Sequence, residues 1–281
     1  MPTPFYLFAN VEPAPATFFR FLPPPSITGF DDPACYMPPV VPGDDIRVFV
    51  ATNSAASPPS AETATIVPVG GGPSYSFGTL HKRTTGMGIG LLLGTVPATL
   101  PPGVYRFSTP TTGLSNPFLA LCDANDTLYV HFEACGNQMN YPYSDYTSVA
   151  GPFYYQALRL FGTVRSVSFE TNQKVDVLSS GKTRLRYARL QKKVEIKFGD
   201  LDREAVEALQ CAAAHSFFGF VAPAAAAAST FGNAPVGLAP DGPLEIEEAT
   251  EGPFKTTVHA TVKGKVVAFN RVTSFCDNCL P

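Results

Sequence analysis

Residues 183–221 read TRLRYARLQKKVEIKFGDLDREAVEALQCAAAHSFFGFV, and the pattern of this stretch decides the fold. Lys192, Val194, Ile196 and Phe198 alternate with Gln191, Lys193, Glu195 and Lys197. A period of two with one apolar row describes a strand that is wet on one face and buried on the other. Gly199 interrupts the run. Asp200 fits an N-cap, and Asp202 and Glu204 put negative charge in a first helical turn, where the helix dipole favours it. Leu201, Ala205, Val206, Leu209, Ala212 and Ala213 recur at helical spacing, which predicts one amphipathic helix over about 200–215. Phe217, Phe218, Phe220 and Val221 open the next strand. No other stretch shows so clear a helical period, so this helix is expected to plug or back a sheet.

The surrounding composition favours β-structure. Only 15 % of the 281 residues are charged, while Pro (28), Gly (23) and Phe (22) are abundant and Trp is absent. Many short strands joined by Pro- and Gly-rich turns give this balance. The length suits two modest domains with cores of their own. The first, residues 1–118, is expected to be a β-sandwich. Its strands are Phe5–Val11, Phe18–Leu22, Ile46–Val50, Ala64–Val69, Tyr75–Leu80, Met87–Leu93 and Val104–Phe107. Pro42-Gly43-Asp44-Asp45 and Pro101-Pro102-Gly103 are turns with a mechanism, because proline presets φ and glycine permits the reversal.

A cluster of small and turn residues, Thr111 to Phe118, marks the expected boundary. The second domain, residues 119–281, reads as a β-barrel-like unit carrying the one helix. Its strands are Leu119–Cys122, Thr127–Glu133, Phe153–Phe161 and Thr163–Phe169, then a turn at Glu170–Gln173 and a strand at Lys174–Leu178. Ser179-Ser180-Gly181-Lys182 turns into the stretch quoted above. Residues 222–242 read as a long irregular connection, and Phe254–Lys263 with Lys265–Val272 as a closing hairpin turned at Gly264. Five of the 20 Lys and Arg and six of the 23 Asp and Glu lie in residues 1–118. Neither half is therefore polarised in sign.

Several function classes find no support. The net charge of −3 and the interleaving of the basic cluster Lys182–Lys193 with apolar residues describe the wet side of a strand, not a nucleic-acid-binding face. No run approaches the ~18 apolar residues of a membrane helix, and the Pro-interrupted N-terminus lacks the basic start of a signal peptide. The protein is expected to be soluble and made in a cytosol. Of Cys35, Cys122, Cys135, Cys211, Cys276 and Cys279, only Cys276-Asp-Asn-Cys279 forms a tight pair. That is half a zinc ribbon without its partner, so no metal is expected and the two tail cysteines are read as free or bonded to each other. His81, His131, His215 and His259 stand in no catalytic or metal-binding pattern. The Gly86–Gly90 run lacks the lysine and following helix of a phosphate loop. Adjacent carboxylates such as Asp31-Asp32, Asp44-Asp45 and Glu247-Glu248 point to opposite faces of a strand. The expectation is a protein that is not an enzyme and takes no cofactor.

Two stretches suit binding. Tyr141, Tyr143 and Tyr146, with Asn137, Gln138 and Asn140, offer aromatic and amide groups of the kind that contact carbohydrate or protein. The loop holding Ala224, Ala226 and Phe231 is apolar and uncharged, a hazard on a lone monomer and a natural contact with another subunit.

In layout the chain resembles tail proteins of bacteriophages and prophages of the Bacteroidetes group. The resemblance rests on the Pro-Gly-Asp turn before a strand (Pro42–Val50), the Ser-Asn-Pro-Phe junction (Ser115–Phe118) and an aromatic strand passage. A Ser-Gly-Lys turn (Ser180–Lys182), a basic strand and an acidic-capped helix ending in Ala214-His215 complete it. The second unit is similar in outline to distal-tail or baseplate hub domains, β-barrels with one helix that form rings under a tail tube. The Ala-rich loop and the Cys-x-x-Cys tail lie outside this pattern. The resemblance implies a structural virion component of the tail or baseplate, made in the host bacterial cytoplasm. It would act as a homo-oligomer, ring or trimer, with other tail proteins as partners, without nucleic acid or membrane. A carbohydrate-binding adhesin, with the tyrosine stretch on a host-surface glycan, is the alternative.

Overall fold

The computed structural model describes residues 17–21, 36–52, 60–82, 89–134, 154–201, 203–213, 217–221, 236–240, 245–250 and 256–267. These are mainly β, in one mixed sheet of 16 strands with a single helix among the described residues. The expected strand Phe5–Val11, the cysteines Cys35, Cys135, Cys276 and Cys279, and His215 lie outside the described residues.

The N-terminal strands are β1 (Phe19–Phe21), β2 (Pro39–Val40), β3 (Asp45–Thr52), β4 (Ser60–Pro68), β5 (Tyr75–Lys82), β6 (Ile89–Thr95), β7 (Gly103–Thr109), β8 (Gly113–Leu114) and β9 (Phe118–Ala120). They are ordered β3-β6-β5-β4-β7-β9-β2, with β1 parallel to β3 and β8 on β7. The sheet curls until its two ends meet. Phe19 on β1 packs edge-on against Phe107 of β7, with ring centroids 5.3 Å apart. Phe107 in turn stacks on Phe118 of β9 at 4.5 Å and lies 4.6 Å from Phe77 of β5. Aromatic pairs in such contact add about 0.5–1.5 kcal/mol each beyond the area they bury.

Asn116 ties the same seam through the backbone. Its side-chain oxygen accepts from the Arg20 N–H (3.0 Å), while its own N–H donates to the Arg20 carbonyl (3.0 Å). The small residues between Thr111 and Phe118 are thus part of the first sheet. Ser115 and Asn116 belong to its hydrogen bonding, and the strand from Phe118 lies between β2 and β7.

The later strands are β10 (Thr127–Ala134), β11 (Tyr154–Val177), β12 (Thr183–Leu201), β13 (Phe217–Val221), β14 (Val236–Pro240), β15 (Glu245–Thr250) and β16 (Thr256–Val267). Antiparallel pairing runs β10-β13-β14-β16-β12-β11, and β11 pairs again with β10, so six strands close a ring. The row Val194, Ile196, Phe198 is buried, as the alternation of the quoted stretch requires. Helix α1 (Arg203–Ala213) follows, packed on β12 and β16. Ala205, Val206, Ala208 and Leu209 are buried, and Glu207 and Gln210 exposed.

Five local expectations are corrected. Asp200 is no helix cap: it lies within β12, because the ladder to β16 resumes at Leu201–Val258 after an irregularity past Phe198 and keeps the chain extended. For the same reason Gly199 bends the strand without ending it. Glu170–Gln173 do not turn. They pair residue for residue with Gln191, Leu190, Arg189 and Ala188, and a polar run without Gly or Pro has nothing to force a reversal. Gly264 does not turn either, since it is bonded on both sides, to Val194 of β12 and Pro240 of β14, and a two-sided ladder outweighs a Lys-Gly-Lys turn preference. The connection 222–242 contains β14, and β15 was not anticipated at all.

Candidate assembly surface

The Tyr141–Tyr146 stretch and the Ala-rich stretch with Ala224, Ala226 and Phe231 lie outside the described residues. The surface that stands out was not singled out from sequence. It is an arm built from the outer halves of β11 and β12.

Its construction follows from register. β12 gains its second neighbour, β16, only from Lys193 onward. From Ser168 to Val177, β11 pairs with β12 and, among the described strands, with nothing else. The two strands therefore leave the barrel as a two-stranded ribbon. Those ten residues extend about 34 Å at about 3.4 Å each. At the tip, Gly181 takes φ +76°, a conformation glycine adopts without strain. The Gly181 N–H donates to the Leu178 carbonyl (2.8 Å), and Leu178 N–H to the Lys182 carbonyl (2.9 Å).

The ribbon is amphipathic. Val167 stands opposite buried Val194, and Phe169, Thr171, Gln173, Val175 and Val177 follow on the same row of β11. The barrel's apolar face thus continues along the arm into solvent, where Phe169 is 62 %, Val175 49 % and Val177 73 % exposed. Leu178 at the turn is exposed too. Opposite this row, register places Lys192 against Phe169, Leu190 against Thr171, Ala188 against Gln173, Leu185 against Val175 and Thr183 against Val177.

The other face is charged and internally paired. Lys193 reaches diagonally to Glu170 (2.9 Å), and Glu195 accepts from Ser166 Oγ (3.2 Å) and pairs with Arg165 (3.4 Å) at the bulge. The arm is also basic. Residues 163–193 carry eight Lys and Arg against Glu170 and Asp176, a net charge of +6, so the remainder of the −3 chain carries −9. The basic run Lys182–Lys193, expected as one wet strand face, belongs to a projecting arm. The sequence signal was present: two long β-patterned runs, 154–177 and 183–201, joined by a tight turn. A turn assigned at Glu170–Gln173 concealed it.

A buried ion pair anchors the root of this structure. Arg159 on β11 grips Asp44 of the Pro-Gly-Asp turn with Nε on Oδ2 and Nη2 on Oδ1, both 2.7 Å, and its Nη1 donates to Thr127 Oγ1 (3.1 Å). The Val41 N–H also donates to Asp44 Oδ2 (2.8 Å). The Tyr129 ring lies 5.7 Å from the guanidinium, and its hydroxyl donates to the Asp45 carbonyl. Both ionised side chains are at least nine-tenths covered. Asp44, read from sequence as one of two unremarkable adjacent carboxylates, thus joins the first sheet to the barrel.

A second polar cluster lies in the N-terminal sheet. Lys82 donates to Glu62 and, at 2.9 Å, to Thr111 Oγ1, while the N–H groups of Thr111 (3.2 Å) and Thr112 (3.3 Å) donate to Glu62 Oε2. Burial pushes the Glu62 carboxyl up, but Lys82 and the hydroxyl and N–H of Thr111 outweigh it and hold the group at about 2. Both oxygens of Glu62 are engaged by neighbours, so the cluster is architectural. Among the described residues no three His, Cys, Asp or Glu side chains converge as metal ligands, and no helix is long and apolar enough to cross a membrane.

No protein-family model, curated protein or solved structure matches this chain.

Proposed function

We propose that this chain is a structural subunit of a bacteriophage virion, in the tail or baseplate, that works by assembling with copies of itself and with other tail proteins. The observation that carries the reading is the arm. A two-stranded ribbon with an apolar face is marginal in water on its own, and an exposed aromatic-aliphatic row of this kind belongs to a contact surface. The low charge content of the chain accords with a building block whose surface is covered by neighbours. The layout-level resemblance to tail proteins supplies the virion and the tail as the setting.

The test is the mass of the full-length protein in solution, measured by sedimentation velocity across a range of concentrations, together with mass spectrometry of purified particles. A concentration-dependent oligomer and its presence in the particle are expected. A monomer at every concentration that is also missing from particles ends the proposal.

A further inference from the structure

We infer that the basic arm of one copy docks on the acidic body of a second copy, head to tail, with the edge strand β15 as its seat. This rests on the self-assembly reading and specifies its geometry. Three observations carry it.

The first is charge. The arm holds +6 and the rest of the chain −9. Two arms laid face to face would oppose +6 to +6, whereas an arm on a neighbour's body meets opposite charge, and like-charge contact selects against the wrong pairing.

The second is area. One face of the ribbon is about 34 Å long and about 10 Å wide, some 340 Å², while a stable interface needs roughly 800 Å² per partner. Arm-on-arm pairing falls short of that. In a head-to-tail ring each contact also buries one such face, but each copy makes two of them, about 680 Å² in all, and closure holds every subunit at both ends. Contacts between unlike surfaces close into rings or grow as filaments.

The third is the seat. β15 pairs with β16 alone and is an edge among the described strands. It carries Glu245, Glu247 and Glu248 within six residues. The outer strand of the arm, Thr183–Gln191, pairs only with β11 among the described strands and carries Arg184, Arg186 and Arg189. Addition of one edge to the other supplies main-chain hydrogen bonds and brings an Arg-bearing strand beside a Glu-bearing one. A nucleic acid would satisfy the arginines but offers no strand edge for β12 to pair with, so the observations favour the protein partner.

The experiment uses three forms of the full chain at low salt, followed by sedimentation velocity: wild type; an arm variant with Lys174→Glu, Arg184→Glu and Arg189→Glu; and a seat variant with Glu245→Lys, Glu247→Lys and Glu248→Lys. Wild type should form species larger than dimers that weaken as salt rises. Each variant alone should lose association by about tenfold or more. Mixed together they should regain assembly beyond the dimer, because each mixed contact again joins opposite charges at the substituted positions. Lys174→Glu with Lys182→Glu, at exposed side chains near the tip, is the milder arm variant should the triple one misfold.

Wild type remaining monomeric overturns the self-assembly reading and this inference with it. Wild-type assembly that the arm or seat changes leave intact overturns the docking alone. So does a mixture that stops at a one-to-one pair, as arm-on-arm contact or reciprocal exchange of arms between two copies gives. Retention of a short duplex DNA by wild type, lost in the arm variant while assembly persists, reassigns the arm to nucleic acid.

Discussion

Phe107 and Phe169 stand on antiparallel strands of the same sheet and meet opposite fates. Phe107 is fully buried among Phe19, Phe77 and Phe118 at the seam where the N-terminal sheet closes on itself. Phe169 is 62 % exposed on a ribbon with no third strand among those described. In the first region the chain packs its large aromatic side chains against one another, with Met37, Val69, Val104 and Leu114 left exposed. In the second it extends an apolar face past the last strand able to cover it. On the proposed reading, the second region is completed by a partner. That reading assigns stability and assembly to different parts of one molecule, so substitutions should separate them.

The largest effect on folding is expected at the root between the two regions. Asp44→Ala leaves the Arg159 guanidinium buried without its bidentate partner and removes the acceptor for Val41 N–H. Breaking such a pair costs about 3–5 kcal/mol, whereas replacing both members by apolar groups is often neutral. Urea unfolding should therefore show Asp44→Ala strongly destabilised and Asp44→Ala with Arg159→Met substantially recovered. Equal losses in the single and double variants would mean that the pair acts through something other than an uncompensated charge.

The next effect is a dependence on pH. The folded Glu62 carboxyl sits at about 2 against an ordinary 4.5. A depressed carboxyl contributes stability that is present above its unfolded value and is lost as pH falls from 4.5 towards 2. At about 1.4 kcal/mol per pH unit, reduced by solvent screening, the contribution is on the order of 1–3 kcal/mol. Burial lowers His81 as well, and that group loses stability in the same direction, as pH falls below 6.5. Glu62→Gln should flatten the loss of stability between pH 4.5 and 2 while lowering stability at pH 7, as followed by thermal melts. An unchanged acid limb would place the acid sensitivity elsewhere.

The readable parts of the fold were those in which local pattern and tertiary structure ask for the same thing. Val194, Ile196 and Phe198 alternate and are buried, and the Ala205–Leu209 stripe is the buried face of α1. Gly181 turns where a Ser-Ser-Gly-Lys run predicts it. Misreadings occurred where long-range pairing decides. Gly264 resembles a turn until strands on both of its sides hold it extended, and the Glu170–Gln173 polar run resembles a loop until β12 pairs with each of its residues. Asp44 reads as a turn residue because its partner, Arg159, lies far along the chain. The arm combines these difficulties. Its charge excess was countable, but its projection depends on β16 joining β12 only at Lys193.

The smallest expected change in stability is the most informative about the arm. Phe107→Ala removes a ring packed on three others and should cost about 3–5 kcal/mol. Phe169→Ser with Val177→Ser removes apolar surface that water already covers for the most part, and surface changes of that kind stay within about 0.5 kcal/mol per site. Melting temperature should therefore drop sharply for the first variant and hardly at all for the second. Association should respond in reverse order. The Phe169/Val177 double variant should weaken self-association at moderate salt, where charge steering is screened, while remaining as stable as wild type. If it unfolds like Phe107→Ala, the row is covered within a single chain and the distinction between a finished body and an unfinished arm collapses. If it is stable and still assembles as wild type does, the arm's charge alone makes the contact and the apolar row has another use.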